Sequence, residues 1–496
     1  MFQDATTPQI NEAMEQAYAA FLQYRHCSGA QRAAFLRAIA TEIEALGASL
    51  IRTAQRETNL PEARLAGERG RTCNQLRNLA DVVAEGSWVQ ATIDTALPDR
   101  QPLPKPDIRN MLVPIGPVVV FGASNFPFAY STAGVDPAAA WAAGCPVVVK
   151  AHPAHPETSE LVAGAILRAV ASCGLPSGTF VHLHGAGFEV GKALTLHPKT
   201  AAVGFTGSFA GGKALFDLAN QRPVPIPVFA EMGSTNPVFL LPNALENEAE
   251  KYGKMYAASI TGSMGQFCTK PGLIIGIVGA GLDKFMQTLN AEIAQTAPVA
   301  MLHAGIAKAF REKRADVLSQ SNVSVEAETT MTHGQNDGIP SVASVLAAQF
   351  MANPALHQEV FGPFSLLIKC QDAQEMSQVA AQLEGQLTCT IIATDDDLTT
   401  HQNIVQAASL LCGRLILNNV PTGVEVCAAM QHGGPFPAST DGRFGSVGAR
   451  AIQRFVRPLA MQGFKDKMLP AELQDANPLN IWRMVNNQWS KEAVTV

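Results

Sequence analysis

The sequence predicts an α/β protein with a doubly wound nucleotide-binding domain, a second α/β domain and a C-terminal arm. Three observations predict this class. Short apolar runs flanked by Gly and Pro, such as 118–121 and 146–150, are typical of strands buried on both faces of a parallel sheet. Helix-prone stretches separate these runs, as in doubly wound folds. A length of 496 residues exceeds what one hydrophobic core can serve, so two or three domains are expected.

The N-terminal region, from about residue 10 to residue 89, is predicted to be helical. Apolar and small residues recur there at helical spacing, for example in 33–40, with Arg32 and Arg37 in the gaps. Four prolines then exclude a helix and predict an extended connection; they are Pro98, Pro102, Pro104 and Pro106.

Two strand–helix alternations follow this connection. The first predicts strands at 118–121, 146–150 and 178–183, with helices at 136–143 and 158–171. The second begins at 236–241. It predicts helices at 246–261, 282–296 and 373–383, and strands at 273–278, 364–368, 388–392 and 414–417. The polar, proline-containing tail beyond residue 457 is predicted to be an arm rather than a domain.

Composition argues against several classes of function. The chain is 47% hydrophobic and 16% charged, with a net charge of −6 and no basic block, so neither nucleic acid nor an anionic membrane is an expected partner. No apolar run reaches the roughly 18–20 residues that cross a bilayer. The first eight residues lack the features of a secretory signal. The nine cysteines show no metal-ligand spacing. We therefore expect a cytoplasmic protein without a metal.

Cys268 is the strongest candidate for chemistry. It lies in the polar, glycine-bearing segment 265–272, directly before the apolar run 273–278. A cysteine on such a turn is presented at the mouth of a strand, where neighbouring groups can generate the nucleophilic thiolate. A cysteine considered alone is more often a buried structural residue, so the other motifs decide.

Four further segments contain candidate groups, each with an ordinary structural alternative. Glu231 closes an apolar run and can serve as a general base, or it is an ordinary strand-end glutamate. Asn125 can donate to an oxyanion, or it forms a local turn before Pro127. The turn at 205–212 can receive a pyrophosphate, or it is a tight turn only. Lys150 ends a strand, where doubly wound folds bind nucleotides, or it is a solvated lysine.

Taken in chain order, these segments resemble the aldehyde dehydrogenase superfamily over nearly the whole chain. The matching motifs are Ser124-Asn125-Phe126-Pro127, Val149-Lys150, Phe205-Thr206-Gly207-Ser208, Glu231-Met232-Gly233, Gly265-Gln266-Phe267-Cys268 and Glu359-Val360-Phe361-Gly362-Pro363. The resemblance implies an aldehyde dehydrogenase-like fold. In it, a cofactor domain comprises 1–95, 115–232 and 425–456, and a catalytic domain comprises 233–424. An oligomerisation element comprises 96–114 and 457–496, and a homodimer or homotetramer is expected.

The resemblance also implies roles for individual residues. Cys268 corresponds to the nucleophile, Asn125 to the oxyanion donor and Glu231 to the base that activates the hydrolytic water. The cofactor contacts implied are Lys150, Gly207, Ser208, Gly212, Glu359 and Phe361. Phe126, Phe128 and Gln266 are candidates for the wall of a substrate tunnel.

The cofactor is expected to be NAD or NADP. Relatives that prefer NAD carry a glutamate three residues after the strand-end lysine, and this chain has Pro153 there. The missing carboxylate favours NADP, with His152 as a candidate neighbour of the 2′-phosphate. A position where some NADP-selective relatives have arginine is Phe188, which argues against strong selectivity.

Several unusual segments, notably 421–426 and 431–438, are similar to the subgroup that oxidises α-ketoglutaric semialdehyde (2,5-dioxopentanoate). A carboxylate-bearing aldehyde of this kind needs a cation near the tunnel, and Arg64, Arg69 and Arg71 are candidates. The alternatives are a broad medium-chain or fatty aldehyde dehydrogenase, a relative that kept the fold without turnover, and a cysteine hydrolase that needs no nucleotide.

Overall fold

Four helices and two short strands form the N-terminal part of the protein, in a computed structural model that describes residues 2–495. Residues 1 and 496, which begin and end the predicted domain ranges, lie outside the residues that the structure describes. The cap of the second helix follows from its sequence, because Ser28 and Gln31 each accept a hydrogen bond from the other's backbone N–H. The elements are α1 (Thr7–Tyr24), α2 (Gly29–Ala45), α3 (Gly47–Thr58), α4 (Glu62–Glu85), β1 (Thr92–Asp94) and β2 (Ile108–Pro114).

A five-stranded parallel sheet follows, with the strand order β5-β4-β3-β6-β7. Its predicted strands are present, although the third begins at Phe180 because 177–179 form a 3₁₀ turn. The helix α7 was not predicted, since Gly191 lowers its intrinsic helix propensity. The elements are β3 (Val118–Phe121), α5 (Val135–Ala143), β4 (Val147–Lys150), α6 (Pro156–Ser172), β5 (Phe180–Leu183), α7 (Phe188–Leu196), β6 (Ala202–Thr206), α8 (Phe209–Asn220) and β7 (Val228–Glu231).

The second alternation forms a seven-stranded sheet with the order β10-β11-β12-β9-β8-β13-β14. All of its pairs are parallel except the edge pair β10–β11. The elements are β8 (Val238–Leu240), α9 (Pro242–Thr261), β9 (Leu273–Ile277), α10 (Ala280–Gln295), α11 (Ala304–Leu318), β10 (Ser324–Glu328), β11 (Ser341–Leu346), α12 (Ala347–Ala352), β12 (Phe364–Cys370), α13 (Ala373–Gln382), β13 (Gln386–Ile392), α14 (Asp395–Thr400), α15 (Gln402–Leu411) and β14 (Cys412–Leu417).

The predicted arm forms three strands, β15 (Val456–Gln462), β16 (Arg483–Val485) and β17 (Gln488–Ser490). They complete a third sheet with the segment that follows α4, in the order β15-β2-β1-β16-β17. The strand β15 pairs with β2 along its whole length, from Val456 opposite Pro114 to Gln462 opposite Ile108. The tail is therefore held by backbone hydrogen bonds to residues more than 300 positions away.

The helices cover the first sheet through a continuous apolar core. Trp141 on α5 is fully buried and makes edge-to-face contacts with Phe35 of α2 and Phe180 of β5. This packing leaves the carboxyl ends of the parallel strands free to carry the functional loops. Within residues 2–495, none of the helices is long and apolar enough to cross a membrane.

Candidate active site

The first sheet has a topological switch point between β3 and β6, because the chain proceeds to one side from β3 and resumes on the other side at β6. Ligands of doubly wound sheets bind in the crevice at the carboxyl ends of such strands. Asn125 lies in the loop after β3, and Gly207 directly follows β6. Two of the predicted site segments therefore meet at the crevice.

The turn between β6 and α8 fits a dinucleotide pyrophosphate. Ser208 is the N-cap of α8, and its Oγ accepts a 3.2 Å hydrogen bond from Gly211 N–H. A Cβ on Gly212 would lie 2.7 Å from Met232 Cγ, so the close packing requires glycine. Gly207 N–H donates to Glu231 O at 3.0 Å, which ties the turn to the end of β7. Lys150 ends β4 at the same edge of the sheet, separated from this turn by β3.

The remaining cofactor candidates lie in two loops. His152 Nδ1 accepts a hydrogen bond from Ala154 N–H, and its ring stacks on His155. Burial lowers the pKa of His152 well below its usual value, so the ring is neutral and offers a phosphate no charge. Glu359 and Phe361 follow α12, in the loop before β12. A Cβ on Gly233 would lie 2.6 Å from Glu359 Oε2, which places this carboxylate against the segment after β7.

Cys268 lies in a buried cluster with Glu231 and His432. Its Sγ is 3.6 Å from His432 Nε2, and the same nitrogen is 3.0 Å from Glu231 Oε1. Ser446 Oγ donates to Glu231 Oε2 at 3.0 Å. The fold thus brings the predicted nucleophile and the predicted base to the same nitrogen of one imidazole ring.

The charges in this cluster set the protonation of the sulfur. Burial, and after it the negative charge of Glu231, raise the pKa of the Cys268 thiol well above its usual value. Burial by itself also raises the pKa of Glu231, but His432 and the Ser446 hydroxyl outweigh it and hold that pKa below its usual value. The resting pair is consequently a neutral thiol beside a carboxylate.

Asn125 is buried at the same place, and its Nδ2 donates to Gln266 O at 3.2 Å. Its amide therefore lies against the backbone just before Cys268. The Gln266 side chain is engaged elsewhere, since Oε1 accepts from Leu302 N–H at 2.9 Å and Nε2 donates to Ser263 O at 3.0 Å. Gln266 thus supports the turn that carries Cys268 and is not directed into an open tunnel.

A buried hydrogen-bond hub joins the segments that carry Glu231 and Cys268. Asn236 Nδ2 donates to Cys268 O and to Lys270 O, both at 2.9 Å. Thr388 Oγ1 donates to Asn236 Oδ1 at 3.0 Å. Gln386 Oε1 accepts from the N–H groups of Thr235 and Asn236 at 2.8 and 3.1 Å. The hub fixes the segment after β7, the Cys268 turn and the start of β13 relative to one another.

Aromatic rings and two arginines lie around the Cys268 turn. The Phe126 ring packs 5.3 Å from Tyr130 and 5.9 Å from Phe267. Arg64 lies over Phe126 and Phe267 at 5.0 and 4.9 Å, and Arg71 lies over Phe126 and Tyr130 at 5.9 and 5.6 Å. The other candidates point away from this group. Phe128 is 1% exposed in the N-terminal core, and Arg69 donates to Gly47 O.

Several residues of the site were not found from the sequence. His432 and Ser446 were given no role, because they are more than 160 and 200 residues from Cys268 and Glu231. Asn236 and Arg414 were included only in predicted strand segments, and Gln386 lies just before the predicted strand 388–392. The spacing of residues in the sequence also did not indicate two groups with metal-ligand geometry. The donor atoms of Glu231, Cys268 and His432 lie within 4.8 Å of one another, and so do those of Glu160, His182 and His184. Both groups have ligand types that zinc accepts.

A doubly wound crevice that faces a half-buried cysteine and a buried carboxylate is typical of cysteine-dependent oxidoreductases that use a nicotinamide cofactor. The sequence model of the aldehyde dehydrogenase family matches residues 1–457. The chain belongs to this family and is an aldehyde-oxidising oxidoreductase that takes a nicotinamide cofactor. The predicted family and α/β fold class are confirmed.

Two curated relatives match 98% of the chain and 92% of their own length. Alpha-ketoglutaric semialdehyde dehydrogenase 2 of Azospirillum brasilense is 49% identical over 486 residues. Alpha-ketoglutaric semialdehyde dehydrogenase of Acinetobacter baylyi is 46% identical over 490 residues.

Known structures show the same fold at lower identity. Aldehyde dehydrogenase 21 from Physcomitrella patens, in complex with succinate, has a TM-score of 0.76 at 20% identity, over 92% of this chain and 91% of that chain. Betaine aldehyde dehydrogenase from Staphylococcus aureus, in complex with NAD⁺, has the same TM-score and identity over 93% and 90%.

Replacing Asn236 by alanine is expected to destabilise the protein. It leaves two buried carbonyls without their donor, which costs about 2–4 kcal/mol, and the melting temperature falls by several degrees in a thermal-unfolding scan. Asn247→Ala is the matched control, because its side chain donates to Asn243 O at an exposed site. Equal melting of Asn236→Ala and wild type would contradict the assigned hub.

The protonation of Cys268 predicts slow alkylation. Because its pKa is raised, the proton stays on sulfur near neutral pH, and the rate with iodoacetamide rises from about pH 7 to about pH 9 without a plateau. Peptide mass spectrometry follows Cys268 separately from the other eight cysteines, and Cys268→Ser provides the blank. A plateau below about pH 8 would show a preformed thiolate.

Proposed function

We propose that this chain oxidises 2-oxoglutarate semialdehyde (2,5-dioxopentanoate) to 2-oxoglutarate, with NAD or NADP as the hydride acceptor. The two curated relatives carry the name of this activity and match almost the whole chain. The structure supplies an independent argument, which is the charge around the nucleophile.

Arg71 is the observation that carries the substrate assignment. Its guanidinium lies over Phe126 and Tyr130 and contacts the Tyr130 hydroxyl at 3.4 Å. Within residues 2–495 it has no ion pair with a carboxylate, although it interacts electrostatically with Cys268. The buried Glu68 also interacts with Arg71 electrostatically, without a close ion pair in the described residues. A half-buried cation of this kind near the nucleophile suits an aldehyde that carries its own carboxylate.

Two other arginines support this arrangement. Arg64 lies over Phe126 and Phe267, and its Nη2 donates to Asn125 O at 2.6 Å. Its buried Nη1 has no hydrogen-bond partner among residues 2–495. Arg414 donates to Gly423 O and Pro421 O at 2.8 and 2.5 Å, so it positions the 421–426 segment whose sequence is similar to the α-ketoglutaric semialdehyde subgroup. Both keep positive charge near the entrance to Cys268.

The first half of the reaction forms a thioester on Cys268. The sulfur attacks the aldehyde carbon, and the carbonyl oxygen becomes an oxyanion held by Asn125 Nδ2 and the Cys268 backbone N–H. Collapse of this thiohemiacetal expels a hydride. The nicotinamide cofactor supplies the hydride acceptor.

The second half releases the acid. Glu231 takes a proton from water as the water oxygen attacks the thioester carbon. When the carbon–sulfur bond breaks, Glu231 gives this proton to the Cys268 sulfur, and the acid product loses its own proton to solvent. The carboxylate is suited to this role because its pKa lies below its usual value, so it is ionised at neutral pH. Ser446 orients one of its oxygens.

For the cofactor, we propose contacts from Lys150, Gly207, Ser208, Gly212, Glu359 and Phe361. NADP is favoured over NAD, because Pro153 places no carboxylate where a 2′-phosphate would lie. The role of His152 as a neighbour of the 2′-phosphate stays a prediction. Its neutral ring offers the phosphate a hydrogen bond but no charge.

The three sheets suggest how the chain is divided. We propose that the five-stranded parallel sheet with its N-terminal helices binds the cofactor, and that 233–424 form the catalytic domain. The sheet of β15, β2, β1, β16 and β17 is proposed to assemble a homodimer or homotetramer, since the edge strand β17 is solvent-exposed.

Mutation of the two principal catalytic residues should separate the half-reactions. Cys268→Ala is expected to abolish oxidation and to keep cofactor binding. Glu231→Gln is expected to give a burst of reduced nucleotide, followed by turnover slower by about 100-fold or more, because acylation survives and hydrolysis does not. Rapid-mixing absorbance of the reduced nicotinamide measures both phases. Wild-type steady-state turnover of Glu231→Gln would show that another group is the base.

Substrate choice should depend on Arg71. With NAD and with NADP, kcat/KM for 2-oxoglutarate semialdehyde is expected to exceed that for hexanal by at least about tenfold. Arg71→Gln should reduce this preference by about 1.5–3 kcal/mol, the contribution of one charge-assisted hydrogen bond. Its kcat/KM for hexanal should stay within about twofold of the wild-type value. Arg69→Gln on the same helix is the control. Equal turnover of hexanal by wild type would favour the broad-specificity alternative.

A further inference from the structure

We propose that His432 accepts the proton of the Cys268 thiol during attack on the aldehyde, with Glu231 as the counter-ion of the resulting imidazolium. The inference rests on the proposed function of Cys268 as the nucleophile. It adds a third catalytic residue to the cysteine and the glutamate, and it assigns the two halves of the reaction to different proton acceptors.

The orientation of the His432 ring supports this role. A ring nitrogen has one in-plane position for a proton or lone pair. At Nε2 this position is directed towards Cys268 Sγ, with which it makes a hydrogen bond of 3.6 Å. Glu231 Oε1 is closer, at 3.0 Å, but it lies off this axis and has no hydrogen-bond donor of its own within the described residues. The nitrogen is thus directed at the thiol, and the carboxylate stabilises charge on the ring.

The ring is held in place by the backbone on both sides. Ser446 N–H donates to His432 O at 2.8 Å. A Cβ on Gly434 would lie 2.0 Å from Gln386 O, so the chain after His432 runs directly against the start of β13. The Tyr130 ring packs edge-on at 6.0 Å. With 2% of its surface exposed, His432 has no room for another orientation.

The thiol needs such an acceptor because it does not ionise by itself. Burial and the charge of Glu231 raise its pKa well above the usual value, so a free thiolate is unfavourable. The charged or titratable groups that face the cluster are Glu231 and Tyr130 on the His432 side and Arg71, Arg414 and Glu359 on the Cys268 side. If the proton moves to His432 while the carbon–sulfur bond forms, the site never contains a Cys268 thiolate next to the Glu231 carboxylate.

The step balances as follows. The S–H bond of Cys268 breaks, its proton goes to His432 Nε2, and the sulfur pair forms the bond to the aldehyde carbon. The carbonyl π pair moves to oxygen and is held as the oxyanion. The imidazolium is neutralised by Glu231 at 3.0 Å. Once the hydride has left, His432 releases its proton to solvent, and Glu231 is free to activate water.

His432→Gln tests the proposal, because glutamine keeps hydrogen-bonding capacity and cannot accept a proton. The burst rate of reduced nucleotide is expected to fall about 100-fold, as for loss of a general base, and the acidic limb of its pH profile is expected to disappear. The alkylation rate of Cys268 near neutral pH should fall as well. His333→Gln, at an exposed position, is the matched control and should behave as wild type.

The remaining outcomes separate the competing assignments. All assays contain EDTA, so that a metal ion on the Glu231–Cys268–His432 cluster cannot explain a difference. Melting temperature and cofactor binding by fluorescence should be unchanged in His432→Gln. A burst rate within about twofold of wild type and an unchanged pH profile would overturn the proposal. If Glu231→Gln slowed the burst about 100-fold and His432→Gln left it unchanged, Glu231 would be the acceptor. If Cys268→Ala retained a burst, the proposed function itself would fail.

Discussion

The geometry of the site depends on one buried asparagine. Asn236 has no exposed surface and a left-handed φ of 47°, and its amide donates to the carbonyls of Cys268 and Lys270. The backbone conformation is unfavourable for most residues and is tolerated best by asparagine and glycine. Because Asn236 also contacts Gln386 and Thr388, a single side chain connects the end of the first sheet with the start of the second. The distance between Glu231 and Cys268 follows from these bonds.

Burial and the charge of Glu231 together oppose ionisation of the nucleophile. The low-dielectric surroundings favour a neutral thiol, and the ionised Glu231 reinforces this preference. The compensating groups are His432 beside the sulfur and Arg71 on the aromatic wall. A similar opposition occurs at Lys270 and Glu359, where burial lowers the pKa of the lysine and raises that of the glutamate. Within residues 2–495, Arg64 and Arg71 make no close ion pair, although both interact electrostatically with the buried Glu68, and their charge suits the carboxylate that the substrate carries.

Local patterns predicted the elements near the site better than the peripheral ones. The strands β3, β4 and β9 are continuous apolar runs, and a run buried on both faces has only one plausible conformation. The strand β10 was missed because its sequence alternates polar residues at an exposed edge, and β11 because serine and alanine interrupt its apolar run. The helix α7 contains Gly191, α11 has a weak apolar periodicity, and α12 and α14 are short, so these four were missed as well. The helix α15 was missed although its apolar periodicity is clear. The tail was predicted as an arm, and only the structure shows that it is a partner of β2 and β1.

The sequence by itself determined the α/β class, the family resemblance and the identities of Cys268, Glu231 and Asn125 as candidate catalytic residues, since these signals lie in short contiguous segments. The tertiary structure decided which distant groups surround them. His432 reaches Cys268 across 164 positions, Ser446 reaches Glu231 across 215, and Arg71 comes from a helix of the N-terminal region. No local pattern encodes such contacts, because they arise from packing three sheets against one another.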